Sequence, residues 1–157
     1  MHGRKILAFF LALVLLTCAP HARAARADED RQLLAFIEAL CYVNEIPPKL
    51  VCAVIEMESS WNAAAVNPGG SCLGLMQISR IHTAHLRQTL GIEDLFDPYQ
   101  NVMAGITMLA DYVHRYGDYH MALMCYNCGE AGARARFAQG IYSTPYSRWI
   151  VRRMAEL

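Results

Sequence analysis

Neither sign of charge dominates this chain. Its 14 basic residues are matched by 14 acidic ones over 157 positions, so nucleic acid and anionic membrane have no electrostatic reason to bind it. Long apolar runs are missing too: the stretch from Ile6 to Leu16 falls short of the about 20 residues that a comfortable membrane span needs. Internal repeats, low-complexity tracts and linkers are absent, which leaves a length suited to one domain. No strand alternates with a helix around any motif, which argues against a thioredoxin-like or doubly wound fold.

What is present begins with an export pattern. Arg4 and Lys5 precede the apolar run, and Ala25-Arg26-Ala27 has the small-x-small form of a cleavage site. Residues 1–27 are therefore expected to be a signal peptide and residues 28–157 the working domain, exported to the periplasm or cell-wall space. Leu15-Leu16-Thr17-Cys18 loosely resembles a lipoprotein motif, but Thr before the Cys is atypical. Cleavage removes Arg4, Lys5, Arg23 and Arg26, leaving 10 basic residues against 14 acidic, a net of −4, with no stable membrane insertion expected.

Five of the six cysteines remain: Cys41, Cys52, Cys72, Cys125 and Cys128. An oxidising compartment favours disulfides, and an odd count leaves one thiol over. Cys41 and Cys52 flank the Ile46-Pro47 corner and meet if helices form a hairpin there. Cys125 has Cys128 or Cys72 as alternatives, and the connectivity stays open. His82-x-x-His85 with Cys125-x-x-Cys128 is a zinc vocabulary, but the exported setting favours disulfides. No metal and no cofactor are expected.

Helical rhythm runs throughout. Residues 30–43 repeat Leu33, Leu34, Phe36, Ile37, Leu40 and Cys41 at helical spacing. A second helix is expected over 47–60, with prolines at its entry. Asn67-Pro68-Gly69-Gly70 is a tight loop, and a short helix is expected from about Met76 through Ile81 to Leu90. Asp97 caps a helix with Pro98 in its first turn and Gln100 at the capping-box position, ending at Gly117. Asp118 caps another that runs to Asn127, followed by helical pieces over 129–138 and 145–156. Met103, Met108, Met121 and Met124 read as core filler.

Within the second helix, Leu50, Val51, Val54, Ile55, Met57 and Trp61 form an apolar face, and Glu58 falls near its middle. Glu56 points the other way with Lys49, Cys52 and Ser60 and reads as a solvated carboxylate. A carboxyl on a buried face holds its proton more tightly, which suits a general acid; pairing with an Arg across a helix interface is the alternative.

Glu58-Ser59, Gly74-Leu75-Met76-Gln77 and Tyr126-Asn127 together resemble the signature of the soluble lytic transglycosylase catalytic domain: Glu-Ser, then Gly-Leu-Met-Gln, then Ala-Tyr-Asn. The segment Asp97-Pro98-Tyr99-Gln100-Asn101, the segment Gly140-Ile141-Tyr142-Ser143, and Tyr146 extend the resemblance across about Arg31 to Arg153. Two departures stand beside the motifs: Cys125 and Cys128 flank Tyr126-Asn127, and Cys72-Leu73 precedes Gly74. A disulfide there is expected to rigidify the site or make activity redox-dependent.

The resemblance implies an all-α, single lysozyme-like domain acting on peptidoglycan glycan strands. Most glycosidases need two carboxylates, and Glu93, Asp94, Asp97, Asp111 and Asp118 offer no buried second one. The resemblance implies a route with a single acid. Glu58 protonates the oxygen between N-acetylmuramic acid and N-acetylglucosamine, the 2-acetamido group traps the anomeric centre, and Glu58 then helps close a 1,6-anhydro ring. It also implies substrate-site roles. Ser59 orients the carboxyl or the acetamido group, Gly74 admits the sugar, and Leu75 and Met76 form wall and core. Gln77 meets an N-acetyl group, Tyr126 and Asn127 face the acid, and Tyr146 lines the groove, while Tyr142 and Trp149 pack in the core. Competing expectations are a goose-type lysozyme-like hydrolase and a non-catalytic wall-binding component. Small domains of this kind resemble specialised transglycosylases that open the wall for secretion, conjugation or pilus apparatus, which would be the partner.

Overall fold

The computed structural model describes residues 26–157. The expected signal segment, but for its last two residues, and Cys18 lie outside them. The chain divides after Ala35 into two compact units. In the first, residues 26–35 are helical and Asp28 accepts hydrogen bonds from Arg31 and Gln32.

The second unit, Phe36–Leu157, is all-helical apart from one small hairpin, the lysozyme-like class expected. Its elements are α1 (residues 36–43), α2 (Pro48–Ser59), β1 (Cys72–Leu73), β2 (Ile78–Ser79), a 3₁₀ turn at Arg80–His82, α3 (Thr83–Leu90), α4 (Pro98–Tyr116), α5 (Tyr119–Phe137) and α6 (Pro145–Glu156). The core joins Ile37 of α1, Leu50, Val54 and Ile55 of α2, Ile106 and Leu109 of α4, Leu123 of α5 and Ile150 of α6. α4 packs against α5, and α6 against both α2 and α5.

Local chemistry accounts for most boundaries. The Asp97 side chain accepts from Gln100 N at 2.8 Å and Asp118 from Met121 N at 2.9 Å, as N-caps should. α3 and α4 each stop at a left-handed glycine, Gly91 and Gly117. Gln100, however, does not close a capping box. Its Oε1 accepts from Glu93 N and Asp94 N, bracing the loop that leads into α4.

The expected helix from Met76 is displaced. Residues 72–73 pair antiparallel with 78–79, Val66 bridges Leu73, and α3 begins only at Thr83. The reason is the turn between the strands: Gly74 (φ 75°) and Gln77 (φ 49°) are both left-handed, which a helix cannot accommodate. Two side-chain placements also differ. Tyr142 is not core but exposed, stacked on Phe137 with ring centroids 6.0 Å apart. Of the four methionines named as filler, Met124 is fully buried, whereas Met108 lines a cleft.

Candidate active site

α2 carries Glu58 in its last turn. The helix starts with Pro48, where the missing N–H costs nothing, and buries Leu50, Val51, Ala53, Val54 and Ile55. Ser60 and Trp61 are both left-handed (φ 51° and 64°), so the chain turns away directly after Glu58. The Glu58 carboxyl is half-buried, and burial raises its pKa above the ordinary carboxylate value. A hydrogen bond from Tyr146 opposes that rise: the phenol O–H donates to Oε1 at 2.5 Å.

Tyr146 is held in place by the start of α6. Pro145 occupies the first turn, and Thr144 and Ser147 close a capping box, with Ser147 itself fully buried and 3.1 Å from His120 Nδ1. Further along, Arg153 Nε donates to Glu56 Oε2 at 2.9 Å and ties α6 to α2. Glu56 is thus not the freely solvated carboxylate expected. The Arg pairing considered for Glu58 belongs to Glu56, and Glu58 is left to Tyr146.

The Gly74–Gln77 turn is anchored from below by the fully buried Asn101 of α4. Its amide donates to Leu73 O (2.9 Å) and Leu95 O (2.8 Å), and its oxygen accepts from Met76 N (2.8 Å). Gly74 faces this anchor rather than open space. A Cβ there would lie 2.7 Å from Asn101 Cγ, so close packing by itself requires a glycine. Leu75 and Met76 are buried, as wall and core residues are expected to be. Met76 contributes its carbonyl, which accepts from the Tyr126 hydroxyl at 2.8 Å.

A cleft of about 520 Å³ opens over this turn. Glu58, Gln77, Tyr126 and Asn127 all line it. Gln77 spends its amide hydrogens on Gly74 O (3.0 Å) and Ala65 O (3.2 Å), leaving its carbonyl oxygen as the group it can offer. Tyr126 is held well above the usual phenol pKa by burial and by the Glu58 charge, which places it close to the acid while bonding elsewhere. The expected orienting roles are therefore redistributed. Ser59 Oγ donates to Ile55 O (3.1 Å) within its own helix, and Tyr146 reaches the cleft carboxyl Glu58 from α6.

Sequence reasoning missed Glu130, a second carboxylate in the same cleft. It accepts from Arg115 (2.8 Å) and from the Tyr116 hydroxyl (2.9 Å), and both hold its pKa below the ordinary value. Its place in the sequence, three residues after the Tyr126-Asn127 motif, was the available signal. Cys72, Cys125 and Cys128 line the cleft as well, and all five cysteines of the described residues are free thiols. Cys52 lies near enough for its charge to add to the burial that raises the Cys41 pKa, in keeping with the α1–α2 hairpin. Among the described residues no group of three or more His, Cys, Asp or Glu side chains is placed to hold a metal ion. No described helix is long and apolar enough to cross a membrane.

Known proteins resemble this chain. The sequence pattern of the Transglycosylase SLT domain family matches residues 35–142. A protein of Enterobacteria phage PRD1 named Transglycosylase is 37% identical over 84 residues, covering 54% of this chain and 30% of its own. Invasion protein IagB of Salmonella typhimurium is 32% identical over 107 residues, covering 62% of this chain and 66% of its own. The chain thus spans only part of either relative. In three dimensions the 70 kDa soluble lytic transglycosylase SLT70 from Escherichia coli superposes with a TM-score of 0.66 at 22% identity, over 77% of this chain and 23% of that one, which speaks to the fold.

Proposed function

The chain belongs to the Transglycosylase SLT domain family, and we propose that it cleaves the β-1,4 bond between N-acetylmuramic acid and N-acetylglucosamine in peptidoglycan, leaving a 1,6-anhydromuramyl end. The observation that carries this is Glu58: a half-buried carboxyl with a raised pKa, lining a cleft and meeting the Tyr146 hydroxyl. Burial favours the protonated form of Glu58, which gives its proton to the glycosidic oxygen. As the carboxylate appears, the Tyr146 O–H already points at Oε1 and stabilises the charge. The substrate's acetamido oxygen attacks the anomeric carbon from the opposite face. Glu58 then takes the proton of the 6-hydroxyl, whose oxygen displaces the acetamido group and closes the ring. Gln77 and Asn127 line the cleft as amides able to hold the N-acetyl groups.

Glu130 gives a second reading some footing. A hydrolase needs a carboxylate to hold water, and Glu130 lies in the same cleft. Its oxygens are already engaged by Arg115 and Tyr116, which makes it a weak base. Residues 1–27 would direct the domain, residues 28–157, out of the cytoplasm to the wall. The likeness to an invasion protein favours work beside an envelope-spanning secretion, conjugation or pilus apparatus. Digestion of purified peptidoglycan tests the reaction. Anhydromuropeptides should be released, one water lighter than hydrolytic products, and Glu58→Gln should lower turnover by about 10²–10⁴. Full activity in Glu58→Gln would refute the assignment.

A further inference from the structure

Glu130 is a cleft carboxylate that the reaction above leaves unused. We propose that it is a specificity-determining residue, accepting hydrogen bonds from uncharged glycan hydroxyls at a sugar position away from Glu58; this rests on the transglycosylase reading. The argument begins with the backbone. Gly129 (φ 73°, ψ 154°) breaks α5, a conformation open to glycine, and Glu130 restarts the helix on the cleft wall.

The side chain is fixed there from both sides. Arg115 Nη1 donates to Oε2 and the Tyr116 hydroxyl to Oε1, with Arg134 3.9 Å from Oε1. An ionised carboxylate offers about four acceptor sites, so capacity remains, and the side chain keeps 32% of its surface open. Glu58 and Glu130 line one cleft with separate partners: Tyr146 from α6 holds Glu58, whereas Arg115 and Tyr116 from α4 hold Glu130.

Charge decides the class of donor. An ammonium group approaching Glu130 would meet Arg115 and Arg134, and a carboxylate would meet Glu130 itself. An uncharged hydroxyl meets neither repulsion and gains a charge-assisted bond. The peptide stems of the wall, which carry charges, are therefore not what this residue reads.

The test compares wild type, Glu130→Gln and Glu130→Asp on peptidoglycan strands, with melting curves to establish folding. The expected result is a KM raised about tenfold in both variants, with kcat and product mass unchanged. Glu130→Asp keeps the charge facing Arg115, so it carries the test should Glu130→Gln fail to fold. Unchanged KM in the folded variants would overturn the proposal. A fall in kcat, or a change in product mass, would overturn it in favour of a chemical role. If wild type releases no muropeptides, the parent reading has failed. Calorimetric binding of glycan strands to Glu58→Gln, with and without Glu130→Gln, then still decides, a tenfold weakening being expected.

Discussion

Replacing Tyr146 by Phe removes one oxygen and leaves the ring, yet that oxygen is the hydrogen-bond partner of Glu58. The bond matters most when Glu58 has given up its proton, because a hydrogen bond to a charged group is worth about 1.5–3 kcal/mol against about 1 for a neutral pair. That difference falls on the transition state. At about 1.4 kcal/mol per factor of ten, kcat should drop roughly 2- to 30-fold. KM should change little, since the oxygen removed is the one bonded to Glu58. The pH profile should move as well. Burial raises the Glu58 pKa and the Tyr146 bond lowers it, so deleting the bond leaves burial unopposed and the pKa rises further. Activity requires the protonated form, so the alkaline fall in rate should begin at higher pH in Tyr146→Phe. Initial rates of muropeptide release across acid to mildly alkaline pH measure both effects. A variant with wild-type kcat and an unmoved alkaline limb would show that the tyrosine does not act on the acid.

Other perturbations follow from the same geometry. Because the Glu58 pKa is raised in the fold, its contribution to stability is full below the unfolded carboxylate pKa and is lost as pH rises through the raised value. Glu58→Gln should therefore gain melting temperature over wild type at neutral pH relative to acid, and a constant difference at both pH values would contradict this. Asn101→Ala strands three buried backbone groups, at Leu73, Leu95 and Met76. At about 1–3 kcal/mol for each unsatisfied group, denaturant unfolding should show a loss of at least about 3 kcal/mol; a loss under about 1 would mean that the turn does not depend on this anchor. Burial pushes the Cys41 thiol up to about 12. Native alkylation at neutral pH in the reduced protein should accordingly spare Cys41, as mass spectrometry of the labelled peptides would reveal.

Local chemistry made several features legible in advance. Asp97 and Asp118 cap helices because a short carboxylate can reach the third amide beyond it, whatever the rest of the fold does. Helical periodicity puts Glu58 on the apolar face of α2, and the Glu-Ser, Gly-Leu-Met-Gln and Tyr-Asn motifs single it out as the acid. Gly74-Leu75-Met76-Gln77 was legible as a motif and misread as structure. Its apolar residues fit a helix start, but the left-handed Gly74 and Gln77 form a turn that Asn101 stabilises from another helix.

Periodicity within one chain segment determines which side of a helix is dry, and so the sequence alone nominated Glu58 as a carboxyl with an unusual proton. Which group answers it is set by packing between distant segments. Tyr146 lies 88 residues away, and Arg153, 97 residues from Glu56, takes the carboxylate that had looked solvated. Burial of α6 against α2 brings these pairs together, and no local pattern encodes where two helices will cross. The tertiary structure therefore decided that Glu58 meets a neutral hydroxyl and Glu56 a cation, the difference between an acid that keeps its proton and one that holds two helices in place.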